Sequence, residues 1–249
     1  MSFAPFDVVF DRMGLAEVLA WLLGRDPASP FDYVVTPNVD HLGRLRAQPD
    51  LVGCYQAAAL RLLDSRVLWR LARLCRLDPP PVVTGADLVA SLLPALGSRG
   101  ARVTLIGLEP DHAAMLFARF PRIIFHHHAP ARNFEHDPAA FARVRDFVRD
   151  HSADCVLFAI GSPRQEMLAH AVKAQGQASG LGLCVGAAPL FVIGALYRAP
   201  RWMRIAGLEW LWRLAQEPRR LARRYLIDGP PTIAWVIVWV LVAAFRDRR

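Results

Sequence analysis

The sequence predicts an α/β protein: a parallel sheet covered by helices on both faces, followed by a helical appendage. Two observations predict it. Short, β-rich apolar runs of about five residues alternate with helical patterns along most of the chain, as expected for parallel strands joined by helical crossovers. From Pro200 onward the texture changes, and helical segments follow one another without strands.

The predicted strands are Asp32–Thr36, Leu60–Leu63, Arg102–Gly107, Ile123–His127, Cys155–Ile160 and Gly182–Val185. The predicted helices of the body lie near Leu15–Leu23, Val39–Ala59, Val67–Leu74, Ala86–Leu96, Asp111–Phe120, Pro138–His151 and Pro163–Ala174. Three more follow at Pro200–Gln216, Pro218–Leu226 and Thr232–Phe245. Pro218 suits a first helical turn, and Pro230-Pro231 is expected to break the chain before the last segment. The division that results is a catalytic body over 1–195, a basic helical appendage over 196–229 and an apolar tail over 230–249.

The tail segment Thr232–Phe245 is apolar all round. As a helix it measures about 21 Å at ~1.5 Å per residue, short of the ~30 Å hydrocarbon layer. Shallow insertion into a membrane surface is therefore expected, with Trp235 and Trp239 one turn apart and Arg246, Arg248 and Arg249 at the end. A buried core helix or an oligomer contact is the competing reading. A hydrophobic content of 54% agrees with membrane contact.

The formal charge of +8 points to an anionic partner, and Lys173 is the sole lysine, so arginine carries nearly all the positive charge. Its planar fork suits phosphate, although a GC-rich genome gives the same bias. Cys54, Cys75, Cys155 and Cys184 form no CxxC pair, which argues for reduced, buried thiols and against a disulfide framework or a zinc site. Met1–Asp7 has no basic stretch leading into an apolar one, so no signal peptide is expected and the body is placed in the cytoplasm.

In a parallel sheet, ligands bind beyond the carboxyl ends of the strands. Asn38, in Thr36-Pro37-Asn38, follows the first strand, as a ligand amide or as a helix cap. Asp64 closes the second strand, as a general base or as an N-cap. Gly85 and Asp87 mark a turn into a helix, and Gly107 ends the third strand; without GxGxxG, a dinucleotide site is weakly supported. Gly161-Ser162-Pro163-Arg164-Gln165-Glu166 follows the fifth strand. There Gly161 allows close approach of a ligand, and a helix N-terminus favours phosphate, while Ser162-x-x-Gln165 also reads as a capping box. His126-His127-His128 looks like a metal cluster, but neighbours on a strand point to opposite faces, so no metal site is expected. Arginines alternate with aromatics and leucines from Arg198 to Leu226, which suits anionic lipid or a diphosphate. No nucleic-acid motif accompanies them.

Taken together, Thr36-Pro37-Asn38, Asp64, Thr84-Gly85-x-Asp87-Leu88, Gly161-x-Pro163-x-Gln165-Glu166, Arg198-Ala199-Pro200 and Gly207-Leu208-Glu209-Trp210 resemble, in order and spacing, the bacterial WecG/TagA/CpsF glycosyltransferases. The resemblance runs from about Asp32 to Leu226. It implies a Rossmann-like body with a C-terminal helical appendage. It also implies inverting, metal-independent transfer from a UDP-sugar to a polyprenyl-diphosphate-linked sugar at the cytoplasmic face of the inner membrane, with no cofactor. Asp64 would be the general base. Thr36, Asn38 and Gln165 would line the sugar-nucleotide pocket, with Gly85, Asp87, Gly107, Gly161 and Glu166 beside them. Arg213, Arg220 and Arg223 would close over the site. A homo-oligomer is compatible with the sequence.

The chain departs from the family at Ser65, where glycine is usual, at Val82, where an arginine is common, and at Leu190, where an acidic residue is usual. These departures suggest an inactive lipid-intermediate scaffold as one alternative. A nucleotide-dependent oxidoreductase is the other, and the missing glycine fingerprint argues against it.

Overall fold

The computed structural model describes residues 8–246, apart from the side chains of Arg220, Arg224 and residues 243–246. Met1–Asp7, where a leader was sought, and Arg248 and Arg249 of the tail lie outside the described residues.

Six parallel strands form one sheet in the order β2-β1-β6-β5-β3-β4. They are β1 (Asp32–Val35), β2 (Leu60–Arg61), β3 (Arg102–Gly107), β4 (Ile124–His128), β5 (Cys155–Ala159) and β6 (Leu181–Cys184). Every predicted strand is present, to within a residue or two at most ends. The second is shorter than expected: after Arg61 the ladder gives way to a single bridge between Leu63 and Val82.

Successive residues of a strand feed two separate cores, as the two-residue period requires. Tyr33, Val35, Ile106, Val156, Phe158 and Cys184 face one cluster. Val34, Val103, Leu105, Leu157, Leu181 and Leu183 face the other. The first cluster is covered by α2 (Val39–Ala47), α3 (Val52–Gln56), α4 (Arg66–Leu74), α7 (Pro138–Asp150) and α8 (Arg164–Gln175). The second is covered by α1 (Leu15–Gly24), α5 (Gly85–Ser98), α6 (Pro110–Arg119) and α9 (Ala188–Val192). The result is a Rossmann-like three-layer fold.

Four helical expectations need correction. The predicted helix Val39–Ala59 is broken by Pro49, which opens a 3₁₀ turn over Pro49–Leu51 between α2 and α3. The predicted helix Pro200–Gln216 is two helices, α10 (Arg201–Ile205) and α11 (Glu209–Gln216), parted at Gly207 with φ of +71°. Such a conformation ends a helix and suits glycine. The break expected at Pro230-Pro231 does not occur. Instead α12 (Pro218–Ala222), a π-helical stretch Arg223–Asp228 and α13 (Gly229–Arg246) run on continuously. Both prolines lack the N–H that would bond back into this run, and they stand directly after the π-helical stretch, where the regular hydrogen-bond register is already interrupted. Helix α9 was not foreseen.

The tail is neither free nor fully buried. Helix α13 packs along α2 and α4. Val236 and Val240 are 1% and 0% exposed within the first core, with Trp235 and Trp239 packed beside them. Gly43 of α2 makes the approach possible, since a Cβ there would lie 2.7 Å from Thr232 Oγ1. Arg46 of α2 lies over the Trp235 ring at 5.4 Å. On the outer side Ile233, Ile237, Val238, Leu241 and Val242 are exposed.

Candidate active site

Four strand ends and the helices that follow them meet at the carboxyl edge of the sheet. Asp64 lies just past β2, and its backbone N–H donates to Pro37 O at 3.0 Å, which brings the ends of β1 and β2 together. Asp64 is not the cap of α4. That position belongs to Ser65, whose hydroxyl accepts from Leu68 N at 3.2 Å. The Asp64 carboxylate is thereby free to face α5: its Oδ2 accepts from Gly85 N at 3.2 Å.

Asp64 is partly exposed, with protein around most of its carboxyl group. Burial raises its pKa from 3.8 to about 7. The Gly85 N–H pulls the other way, Glu209 adds to the rise, and Arg213 and Arg198 oppose it. A carboxyl titrating near neutrality can both take and release a proton under working conditions.

Thr84 caps α5 and binds Asp87 twice. Its hydroxyl accepts from Asp87 N at 3.1 Å and donates to Asp87 Oδ2 at 2.7 Å. The other Asp87 oxygen faces the appendage, taking Arg198 Nη1 at 3.1 Å with Arg204 Nη1 at 3.7 Å. Burial pushes the Asp87 carboxyl up. The Thr84 hydroxyl and the two guanidinium groups outweigh it and hold the carboxyl below its ordinary value.

Thr36 is buried, and its hydroxyl donates to Cys184 O at 3.2 Å, tying β1 to β6. Gly85 packs against it; a Cβ there would lie 3.4 Å from Thr36 Oγ1. Asn38 caps α2 by accepting from Asp40 N at 3.0 Å, and its Oδ1 lies 2.9 Å from His41 Nδ1. His41 Nε2 is 3.6 Å from Glu166 Oε1. Glu166 Oε1 also accepts from Gln165 Nε2 at 2.7 Å, and Gln165 Oε1 accepts from Gly186 N at 2.9 Å. One row of polar contacts thus links the ends of β1, β5 and β6. Burial works against ionisation of Glu166, which is 0% exposed. His41 and the Gln165 amide nevertheless hold its carboxyl below the ordinary value. The capping box expected at Ser162-x-x-Gln165 is absent among the described residues: Pro163 is the N-cap, no side chain caps α8, and Gln165 spends its amide on Glu166 and Gly186.

Gly161, with φ of +76°, turns β5 into α8. Gly107, with φ of +103°, ends β3 so close to β5 that a Cβ would lie 2.7 Å from Ala159 O. Both the φ value and the space exclude a side chain. Gly107→Ala is expected to destabilise the fold by at least about 2 kcal/mol, measured by urea unfolding. An unchanged midpoint would show that the β3–β5 approach can relax.

The three histidines of β4 go separate ways. His126 and His128 lie against His151 and Phe147 of α7, while His127 approaches Gly107 O at 2.9 Å. Burial holds His126 and His128 below the ordinary histidine range, with neighbouring charges adding to the effect.

The appendage is fastened at several points. Arg70 of α4 donates to Ile205 O and Ala206 O. Arg198 lies 3.4 Å from Glu209 at its Nε, and its guanidinium sits 5.6 Å from the Phe191 ring centroid. Arg213 lies 5.8 Å from the same ring. Arg223 is 84% exposed at its side chain and pairs with Asp228 at 3.9 Å. The side chain of Arg220 lies outside the described residues. Arg198, Arg204, Glu209 and His41 join the candidate site without a local signal of their own in the sequence; Arg198 and Glu209 fall within the motifs that resemble the family, yet nothing near them shows what they touch.

The carboxyl edge of this Rossmann-like sheet thus gathers a partly buried carboxylate, capped helix starts and an arginine-bearing helical cover. The model of the glycosyl transferase WecG/TagA/CpsF family matches residues 3–246, nearly the whole chain, and the chain belongs to that family. It is a glycosyltransferase, and its substrates are a sugar donor and an acceptor.

Proposed function

We propose that the protein moves a sugar from a UDP-sugar to a polyprenyl-diphosphate-linked acceptor, with inversion at the anomeric carbon and without a metal, in cell-surface glycan or exopolysaccharide assembly. The observation that carries this reading is the Asp64 carboxyl, held near pH 7 and fixed through one oxygen by Gly85 N–H. The other oxygen takes no hydrogen bond among the described residues and is available to a substrate hydroxyl. The acceptor O–H gives its proton to Asp64 as its oxygen forms the new bond to the anomeric carbon. The bond to the diphosphate breaks on the opposite face, and UDP leaves with the electron pair. Arg213, over the Phe191 ring, supplies positive charge for that departing diphosphate. Thr36, Asn38, Gly161, Gln165 and Glu166 shape the edge where the nucleotide would sit, with Thr36 held by Cys184 O and Gln165 by Glu166 and Gly186.

The test is transfer of labelled sugar from a panel of UDP-hexoses and UDP-N-acetylhexosamines to a polyprenyl-diphosphate-linked acceptor, with and without a chelator. Acceptor-dependent UDP release that resists the chelator is expected. No transfer from any UDP-sugar would sink the proposal.

The site would work at the cytoplasmic face of the membrane, with α13 lying in the interface. The stretch Tyr225–Val242 is long and apolar enough to cross a bilayer by length and composition, yet Val236 and Val240 are committed to the core. A crossing helix would have to withdraw them, at roughly 1.5–3 kcal/mol each. For the same reason truncation after Gly229 would damage the fold as well as any anchor. The cleaner variant changes Ile237, Val238 and Leu241 of the exposed side to serine. Binding to anionic vesicles is expected to fall about 10- to 100-fold, with thermal stability nearly unchanged. Unaltered flotation with vesicles would remove the helix from membrane binding.

A further inference from the structure

Arg198 contacts the appendage and the sheet edge at once, with Arg204 of α10 also 3.7 Å from Asp87. Arg198 stands between α9 and α10. Its Nη1 donates to Asp87 Oδ1 at 3.1 Å, its Nε lies 3.4 Å from Glu209 Oε1 on α11, and its plane lies against Phe191 of α9. Asp87 divides its two oxygens between the two sides. Oδ1 takes Arg198, and Oδ2 takes the hydroxyl of Thr84, the residue that caps α5. The next residue, Gly85, donates its N–H to Asp64. The path from appendage to base is thus Glu209, Arg198, Asp87, Thr84, Gly85, Asp64, with a direct contact or a peptide bond at each step.

We propose that Arg198 is a positioning residue that couples docking of the helical appendage to the state of the Asp64 base, by holding Asp87 and so fixing the α5 N-terminus against the Asp64 carboxylate. The inference rests on the reading of Asp64 as general base and deepens it. A guanidinium is suited to the task, because it is planar, always charged, and able to serve two carboxylates at once while stacked on a ring. Lysine at the same place would keep the charge and lose the double contact.

The charged and polar groups that face Asp64 come from three segments. Gly85 N–H comes from α5, Arg198 from the segment ahead of α10, and Glu209 and Arg213 from α11. Asp87 and Arg204 lie one contact further out, with Arg204 Nη1 3.7 Å from the Asp87 oxygen that Arg198 also meets. Arg198 and Glu209 work on Asp64 in opposite directions, the first favouring its ionised form and the second opposing it. A lost appendage contact and a lost charge therefore leave different signatures.

The experiment measures the pH dependence of kcat/KM in the full-length enzyme for Arg198→Gln, Arg198→Lys and Glu209→Gln. Arg198→Gln is expected to move the acid limb up by about half a pH unit or more and to lower kcat about 10-fold. Glu209→Gln is expected to move the limb down, and Arg198→Lys to leave it near the wild-type position with a smaller loss of rate. If Arg198 served only to hold the fold, Arg198→Gln and Arg198→Lys would both lose rate with the limb unmoved, and that result would overturn the proposal. A second readout is independent of turnover. The stability increment produced by Asp64→Asn, followed against pH by urea unfolding, reports the ionisation of Asp64 in each background. Its midpoint should rise with Arg198→Gln and fall with Glu209→Gln. If Asp64→Asn retained near wild-type turnover, the base reading would fail, while the stability midpoints would still decide whether Arg198 acts on Asp64. Midpoints that do not move would remove the link.

Discussion

Asp64→Asn is expected to lower kcat by about 100-fold or more while making the fold more stable above pH 7. The rate loss follows from removing a general base that keeps its size and its Gly85 hydrogen bond. The gain in stability follows from the sign of the pKa shift. Burial raises the folded-state pKa of Asp64 from 3.8 to about 7. Below pH 3.8 the group is protonated in both states. Between 3.8 and 7 the unfolded chain gives up the proton and the folded one keeps it, so stability falls as pH rises through that window. Above 7 the fold carries the full cost of an ionised, poorly solvated carboxylate. An amide carries none of it. Allowing for the partial solvent access of Asp64, the variant should gain about 2 kcal/mol at pH 8 and little at pH 4. For a chain of this size that is a rise of roughly 4–8 °C in Tm at the higher pH. A variant with wild-type turnover would leave Asp64 without a catalytic role. A pH-independent difference in Tm would refute the raised pKa.

Arg213→Ala is expected to lower kcat by roughly 10- to 1000-fold, with a smaller change in the donor KM. Arg213 sits over Phe191 and acts on the Asp64 carboxyl, so its charge is at the catalytic edge rather than in bulk solvent. A departing diphosphate gains negative charge as the glycosidic bond breaks. A guanidinium nearby then binds the transition state better than the ground state. Arg223 supplies the contrast. Its side chain is 84% exposed and paired with Asp228. With the appendage in this position, Arg223→Ala should have a small effect that vanishes at moderate salt, because exposed charges are screened within about 8–10 Å. Measuring kcat for both variants at low and high ionic strength separates the roles. A loss at Arg213 confined to low salt would reduce it to a surface contact.

The sheet was legible because its strands are β-rich apolar runs and the segments between them carry helical periodicity. The ends of the elements were less so. Pro49 and Gly207 each interrupt a helical pattern that reads as unbroken, and only the turn geometry shows where the chain is redirected. Pro230 and Pro231 err in the other direction, since a proline pair that looks like a break is carried through a continuous helical run just after a π-helical stretch. Helix α9 is five residues long, too short to show a period. At the site, Thr36, Asp64, Gly85 and Gln165 could be picked out because each stands at the end of a predicted strand or the start of a helix. Their partners could not. Arg198 meets Asp87 across 111 residues of chain, and His41 meets Glu166 only because β1 and β5 flank β6. Long-range pairs of this kind are set by strand order, which local patterns do not encode.

Ser65, read from the sequence as a departure, has a consequence of the opposite kind. A glycine at that position has no side chain to offer the start of α4; the serine hydroxyl holds Leu68 N–H. Helix α4 in turn carries Arg70, whose guanidinium grips the last carbonyls of α10. The serine therefore reinforces the footing on which the arginine-bearing helices rest, and it does so one residue from Asp64 without occupying its place. What reads in one dimension as erosion of a motif is, in three, a brace under the appendage.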